Sequence, residues 1–220
     1  VATASRLLVM HELDRVALRL DELQRACLAR ASGLVDAIMP AYTHLQRAQP
    51  VSAAHWMLAH FWAFHRDRVR LVAARSAAGV MPLGSGAIAG SAFRVNRPRL
   101  ARALGFHSIS ANSIDAVGDR DFMLDTVYAL AGVATHLSRL AEDLILFGSS
   151  EFGFVRFGDA FSTGSSMMPQ KRNPDALELA RSSPARIGGD LFSLLAMLKG
   201  TPSGYNKDFQ DDKRALFDAL

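Results

Sequence analysis

The feature that most constrains the fold is an apolar periodicity of three and four residues that runs through positions 119–147. Its large aliphatic members are Leu124, Val127, Leu130, Val133, Leu137, Leu140 and Leu144. A helix with this pattern over its whole length needs packing partners on more than one side, which is typical of a helical bundle. The preceding stretch, 110–115, offers several N-cap residues, so we predict one long helix that begins there.

Three further stretches carry the same spacing. Positions 3–33, 52–78 and 174–199 each predict an amphipathic helix, and another helix begins near Lys213. Two prolines bracket the segment between the first two helices, which predicts an irregular connection. No stretch has a convincing strand pattern, and no tandem repeat is present. We therefore predict an all-α, long-helix bundle that forms one domain over positions 1–220.

The composition excludes several classes of protein. Half of the residues are hydrophobic and 21% are charged, which fits a globular chain with a sizeable core. The net charge of +4 comes mostly from arginines spread along helical faces, so we predict no nucleic-acid binding. No apolar run reaches the length of about 20 residues that a membrane helix needs. The single cysteine, Cys27, excludes an internal disulfide and is compatible with a cytoplasmic location.

Three polar segments interrupt the helical patterns, at positions 43–49, 164–173 and 205–213. Polar segments held between long helices are where function usually lies. The first is dense in hydrogen-bonding side chains, including His44. A hydrogen-bonded structural histidine is the alternative interpretation there. The histidines of the following helix, which we interpret as packing or surface residues, are His55, His60 and His65.

The second polar segment reads Gly-Ser-Ser-Met-Met-Pro-Gln-Lys-Arg-Asn-Pro. Asn173 is a suitable N-cap and Pro174 suits a first helical turn, so we predict that a helix begins there. Helix N-termini attract anions. Two serines beside Lys171 at such a point provide what proton removal next to a carboxylate requires. An ordinary Ser/Gly loop with a basic patch has the same composition, which leaves both interpretations open.

Two other patterns lead to weaker predictions. The glycine-rich stretch 82–90 lacks the Lys-Ser/Thr pair of a P-loop, and we predict a turn that permits close backbone approach. Arg120 stands between two aspartates and is either an anion ligand or part of a local ion pair; we predict the ion pair. No carboxylate has the metalloprotease spacing from a histidine, so we predict no metal site.

The serine-containing run resembles the signature loop of the fumarase/aspartase superfamily. Thr-His-Leu-Gln-Arg-Ala-Gln-Pro, which begins at Thr43, and Tyr-Asn-Lys-Asp-Phe-Gln-Asp-Asp-Lys, which begins at Tyr205, narrow the resemblance to the argininosuccinate lyase family. The resemblance covers essentially all 220 residues. It implies the central helical domain of that family, with the family's N-terminal and C-terminal domains outside positions 1–220. It also implies a homotetramer whose active sites each draw on three subunits.

The resemblance implies reversible anti elimination of argininosuccinate to arginine and fumarate in cytoplasmic arginine biosynthesis, without a cofactor. Ser165 matches the base that removes the Cβ proton, and Lys171 stands where it favours the anionic hydroxyl. His44 matches a histidine oriented by a glutamate at the position of Glu178. The proton-accepting and proton-donating roles of Ser165 and His44 can also be exchanged. The residues that match substrate-binding positions are Thr43, Asn173, Tyr205, Gln210 and Lys213.

Two alternatives of other kinds share these motifs. A crystallin-like structural homologue keeps the fold without activity, and a related superfamily lyase acts on another succinyl adduct. Every residue that we match is intact, which favours the enzyme. The block that begins at Tyr205 argues against the second alternative.

Overall fold

The computed structural model describes all residues from Val1 to Leu220, and most of them are helical. The helices are α1 (Ala2–Ser32), α2 (Ala53–Ala78), α3 (Arg97–Ala103), α4 (Ser113–Gly118), α5 (Asp121–Gly148), α6 (Asp175–Leu198) and α7 (Asp212–Ala219). The all-α, long-helix prediction is confirmed. None of these helices combines the length and the apolar character that crossing a membrane requires.

Short strands pair locally between the helices. They are β1 (Ile38–Thr43), β2 (Gln46–Ser52), β3 (Val80–Met81), β4 (Ser108–Ile109), β5 (Thr163–Gly164) and β6 (Arg172–Asn173). β1 with β2 and β5 with β6 are antiparallel, whereas β3 with β4 is parallel. Two 3-10 turns, Asp159–Phe161 and Lys207–Gln210, complete the regular structure.

The four long helices form the bundle. α2 packs between α1 and α5, α6 packs along α5, and α7 closes against α6. Each side chain of this core is almost fully buried, which contributes about 1.5–3 kcal/mol per large apolar residue relative to exposure. The largest members include Leu13, Phe64, Leu71, Phe122, Val127, Leu194 and Leu216.

Helix α6 differs from the other long helices because only Leu194 among its 24 residues is buried. Three of its large apolar side chains are strongly exposed: Leu179 at 71%, Phe192 at 73% and Leu195 at 49%. Phe192 and Leu195, three positions apart, lie on the same side of α6 and form its exposed apolar face, and adjoining apolar side chains of this kind are typical of an interaction surface.

The single long helix predicted from positions 110–115 to 147 is wrong, because the structure divides it into α4 and α5. Asn112 caps α4 by accepting hydrogen bonds from two backbone amides, as the sequence predicts. Asp119 then takes an extended conformation, and its carboxylate accepts a hydrogen bond from the amide of Asp121 at 2.8 Å. Because the extended backbone at Asp119 ends α4 and a new helix starts after it, the apolar periodicity continues while the helical hydrogen bonds do not.

The connection between α1 and α2 is a β-hairpin, so the prediction of an irregular segment without strands is wrong. Its two-residue turn consists of His44 and Leu45, whose φ angles are +55° and +57°. Such turns normally carry Asn-Gly, since both central residues lie in the left-handed region. A His-Leu pair gives no such signal, which explains why the sequence pattern missed the hairpin.

The start of α6 also differs from the prediction. Asn173 pairs with Thr163 in the β5–β6 ladder, and α6 begins at Asp175 with Pro174 as its N-cap. No side chain caps this helix. Pairing in the ladder therefore takes Asn173 away from the capping role that its residue type favours.

The hairpin turn yields a stability prediction. We expect Leu45→Gly to raise the free energy of unfolding by about 0.5–1 kcal/mol. An L-residue in the left-handed conformation costs roughly 1–2 kcal/mol, which glycine avoids, but the greater flexibility of glycine in the unfolded chain cancels part of this gain. Leu45 is 67% exposed, so little burial is lost. Thermal unfolding measures the effect. Gln46→Gly, at the adjacent strand position, is the control and should destabilise; a loss of equal size in Leu45→Gly would contradict the prediction.

Candidate active site

The hairpin presents Thr43 and His44 at an exposed tip. Directly beside this tip, the Tyr42 ring lies 5.9 Å from Phe147, 5.3 Å from Phe152 and 6.4 Å from Phe154, centroid to centroid. These rings anchor the hairpin to the end of α5. A non-glycine residue with positive φ at an exposed tip is uncommon, and retained strain of this kind often accompanies function.

The serine segment forms a loop that the β5–β6 ladder closes. At its base, the Thr163 hydroxyl donates to the carboxylate of Asp175 at 2.5 Å. Inside the loop, the Oγ of Ser165 accepts hydrogen bonds from the backbone amides of Met167 at 3.3 Å and Met168 at 3.1 Å. Two donors on one oxygen favour negative charge there, and they leave the hydroxyl proton free to point elsewhere.

The electrostatics at the start of α6 are less favourable to anions than the sequence predicts. Asp175 and Glu178 both lie in the first turn of the helix, where they already complement its positive end. Lys171 is exposed on the loop, and Asn173 is half-buried. Attraction for an anion at this loop therefore depends on Lys171 and on the loop amides more than on the helix dipole.

The third segment places its polar side chains around a short 3-10 turn. Tyr205 is half exposed and its ring packs 6.0 Å from that of Phe209, while Gln210 is exposed. The ammonium of Lys213 donates to the carbonyl of Phe209 at 2.5 Å and forms an ion pair with Asp212. The predicted carboxylate-binding lysine is thus oriented by a neighbouring acid.

Arg120 forms an ion pair, as predicted, but with a different partner. Its Nε donates to the carboxylate of Asp212 at 2.5 Å, and both side chains are buried. Its guanidinium also lies 4.7 Å from the centroid of the Phe209 ring. The prediction of pairing with the flanking aspartates is wrong, because the carboxylate of Asp119 accepts from the amide of Asp121 and pairs with Arg6 instead.

Arg6 joins three elements at the same end of the bundle. Its guanidinium donates to the carbonyls of Ala77 at 2.8 Å and Ala78 at 3.3 Å, which close the last turn of α2. It also pairs with Asp119 and stacks 4.1 Å from the centroid of Phe122. Burial lowers the pKa of Arg6, against the opposing effect of Asp119.

The sequence pattern did not lead us to Arg6 or Asp212. Arg6 is recognisable in retrospect because it stands in helical phase with the buried residues Leu13 and Ala17, where a charge is unexpected. Asp212 lies in an Asp-Asp-Lys run and gives no comparable signal. Only the tertiary contact with Arg120, 92 positions away, distinguishes it from its exposed neighbour Asp211.

The structure does not bring the three polar segments together within one chain. None of the four principal cavities is lined by residues from more than one of positions 43–49, 164–173 and 205–213. His44 and Glu178 form no ion pair with each other. The largest of these cavities, about 860 Å³, lies between the 82–88 turn, Arg120 and Tyr205.

The fold is a long-helix bundle, and its exposed loops carry a serine hydroxyl, an imidazole and lysine ammonium groups. A family model described as Lyase matches residues 1–189. The chain belongs to this lyase family, within the fumarase/aspartase superfamily.

Similar proteins confirm the resemblance seen in the motifs. The argininosuccinate lyase of Roseiflexus sp. (strain RS-1) is 55% identical over 219 residues, and that of Herpetosiphon aurantiacus is 52% identical over 220 residues. Each match covers 100% of this chain and 48% of the relative. The chain therefore spans about half the length of the curated relatives that it matches.

Solved structures show the same fold. An EDDS lyase in complex with formate superposes with a TM-score of 0.91 at 28% identity, over 99% of this chain and 45% of that one. A class II fumarase from Schistosoma mansoni superposes with a TM-score of 0.78 at 19% identity, over 99% of this chain and 52% of that one. The second likeness shows the fold alone.

A pH-dependent contact lies beside the hairpin. The carboxylate of Asp143 accepts hydrogen bonds from Trp56 at 2.9 Å and from His60 at 3.0 Å. Burial opposes ionisation of Asp143, but these bonds outweigh it and hold the pKa of Asp143 below its usual range. A group whose pKa is depressed by folding stabilises the protein above its unfolded pKa and loses that contribution as the pH falls.

We therefore expect Asp143→Asn to lower the thermal unfolding midpoint at pH 7, and the difference from the unmutated protein to shrink as the pH falls below about 4. Thermal scans across this pH range measure both quantities. The control is Glu142→Gln, whose ion pair with Arg181 is exposed and should have little effect. A deficit that stayed constant at all pH values would contradict this prediction.

Proposed function

We propose that the protein containing this chain cleaves argininosuccinate reversibly to arginine and fumarate by anti elimination. The observation that carries the proposal is identity of 50–55% to argininosuccinate lyases over the entire chain, all three polar segments included. The proposed setting is cytoplasmic arginine biosynthesis, and the chain would provide the central helical domain of the full-length protein.

Ser165 acts on the Cβ proton of the succinyl group. The two loop amides that donate hydrogen bonds to its oxygen would stabilise the anionic form of the serine. The positive charge of Lys171 would stabilise the same anion. A preorganised donor of this kind is worth roughly 10²–10³ in rate. His44, oriented by Glu178 of a neighbouring copy of the chain, serves as the acid for the departing guanidinium. The reverse assignment of these two roles uses the same atoms, and both require the serine hydroxyl.

The substrate is held by polar side chains from all three segments. Because these segments are apart within one chain, a complete site requires neighbouring subunits. We propose a homotetramer in which three subunits contribute to each site, associated through the exposed apolar face of α6. The proposed substrate-binding residues are Thr43, Asn173, Tyr205, Gln210 and Lys213.

The full-length protein, supplied with argininosuccinate, should release fumarate, which is measured by its ultraviolet absorbance. We expect Ser165→Ala to lower kcat by about 10²–10⁴, the range of a lost proton-transfer group, with little change in KM. Ser166→Ala removes the adjacent hydroxyl and should leave kcat near that of the unmutated enzyme. Normal turnover in Ser165→Ala would disprove the assignment; no fumarate from the unmutated protein would favour a structural homologue or another substrate.

The proposed assembly is tested by size-exclusion chromatography with light scattering at micromolar concentration. We expect the unmutated protein to have the mass of a tetramer, and Phe192→Asp to lower that mass because a charge on the α6 face opposes burial. Val35→Asp, at an exposed position in the turn after α1, is the control. A monomeric unmutated protein would refute the shared-site proposal.

A further inference from the structure

Asp212 is a fully buried carboxylate that lies between two cations. One oxygen accepts from the Nε of Arg120 at 2.5 Å, and the other pairs with the ammonium of Lys213. The side chain of Asp212 is 0% exposed and that of Arg120 is 1% exposed. A carboxylate so deeply buried is held in one position by its partners, and it holds them in turn.

The charges at this end of the bundle do not balance. Arg6 and Asp119 form one pair, and Asp212 lies between Arg120 and Lys213, so three cations face two carboxylates. The remaining carboxylates nearby, Asp115 and Asp121, lie on exposed surface, where water screens them. Within this network the cations outnumber the carboxylates by one, so the network attracts an anion wherever one can approach it.

Lys213 is the member of the network that can reach such an anion. An ammonium has three N–H donors, and the structure uses two of them, toward Asp212 and the carbonyl of Phe209. The side chain is 26% exposed, which makes it the most accessible cation of the network. Its third donor has no acceptor in the chain and lies in the segment that also carries Tyr205 and Gln210.

We propose that Asp212, fixed from behind by Arg120, is a positioning residue that orients the Lys213 ammonium toward a carboxylate of the substrate. The excess positive charge attracts the substrate carboxylate, and the two hydrogen bonds of the Lys213 ammonium fix the orientation of that ammonium. This inference rests on the proposed function for the identity of the substrate. An ion pair that only attaches α7 to the bundle would have the same contacts, so the test must separate orientation from stability.

A double-mutant cycle on the full-length protein makes that separation. Asp212→Asn, Lys213→Gln and the double variant are compared by KM and kcat for argininosuccinate, and by calorimetric titration with fumarate alone. We expect Asp212→Asn to raise KM and the fumarate Kd about tenfold while kcat stays within about threefold. We expect the double variant to bind no more weakly than Lys213→Gln, because Asp212 acts only through Lys213.

Two further variants serve as controls. Asp211→Asn removes the same charge from the adjacent, exposed position and should leave KM and Kd unchanged. Should Asp212→Asn fail to fold, Asp212→Glu replaces it, since it keeps the charge but moves the carboxylate by one methylene. Asp212→Glu should weaken fumarate binding in the protein that retains Lys213, and it should have no further effect in the Lys213→Gln variant.

The outcomes separate this inference from the proposed function. Effects of the Asp212 and Lys213 changes that multiply in the double variant would overturn the positioning role, even if the unmutated enzyme is active. Fumarate binding that shows the expected coupling without any argininosuccinate turnover would uphold the positioning role and refute the proposed reaction. Absence of both turnover and fumarate binding would refute both.

Discussion

The buried ion pair between Arg120 and Asp212 is the interaction on which one whole end of the bundle depends. It joins the break between α4 and α5 to the start of α7, two elements that the chain separates by 92 positions. Removing one partner of such a pair costs about 3–5 kcal/mol, because the other charge stays buried. Arg6 and Asp119 extend the contact to α1 and the end of α2, so that five helices meet at one polar network.

The sequence predicts the long helices well, and the reason is physical. A helix that buries one face carries an apolar residue every three to four positions. The local sequence of α1, α2, α5 and α6 therefore suffices to predict each of these helices. The apolar pattern does not reveal the break between α4 and α5 at Asp119, because apolar residues keep their helical spacing across the break. The hairpin is missed for a related reason: His44 and Leu45 occupy left-handed positions that their residue types do not favour.

The same distinction between local and distant contacts applies to the candidate site. Residues that belong to one short segment, such as Tyr205, Gln210 and Lys213, can be grouped from the sequence because residues close along the chain also lie close in space. Asp212 could not be selected in that way, since its partner lies in a distant element. The separation of the three segments within one chain could not be predicted for the same reason, because no local pattern specifies which distant segments come together.

A buried ion pair is weak evidence for a stabilising role, because well-packed apolar residues of similar volume often serve stability as well or better. The bundle has ample apolar packing at this end, with Phe122 and Phe209 stacked against the two arginines. Stability alone therefore does not account for a fully buried carboxylate placed between Arg120 and Lys213. What the arrangement does provide is direction, since a flexible lysine held by two bonds loses less freedom when it binds an anion than one that is free to move. Preorganisation of that kind is the property that a substrate-binding ammonium needs.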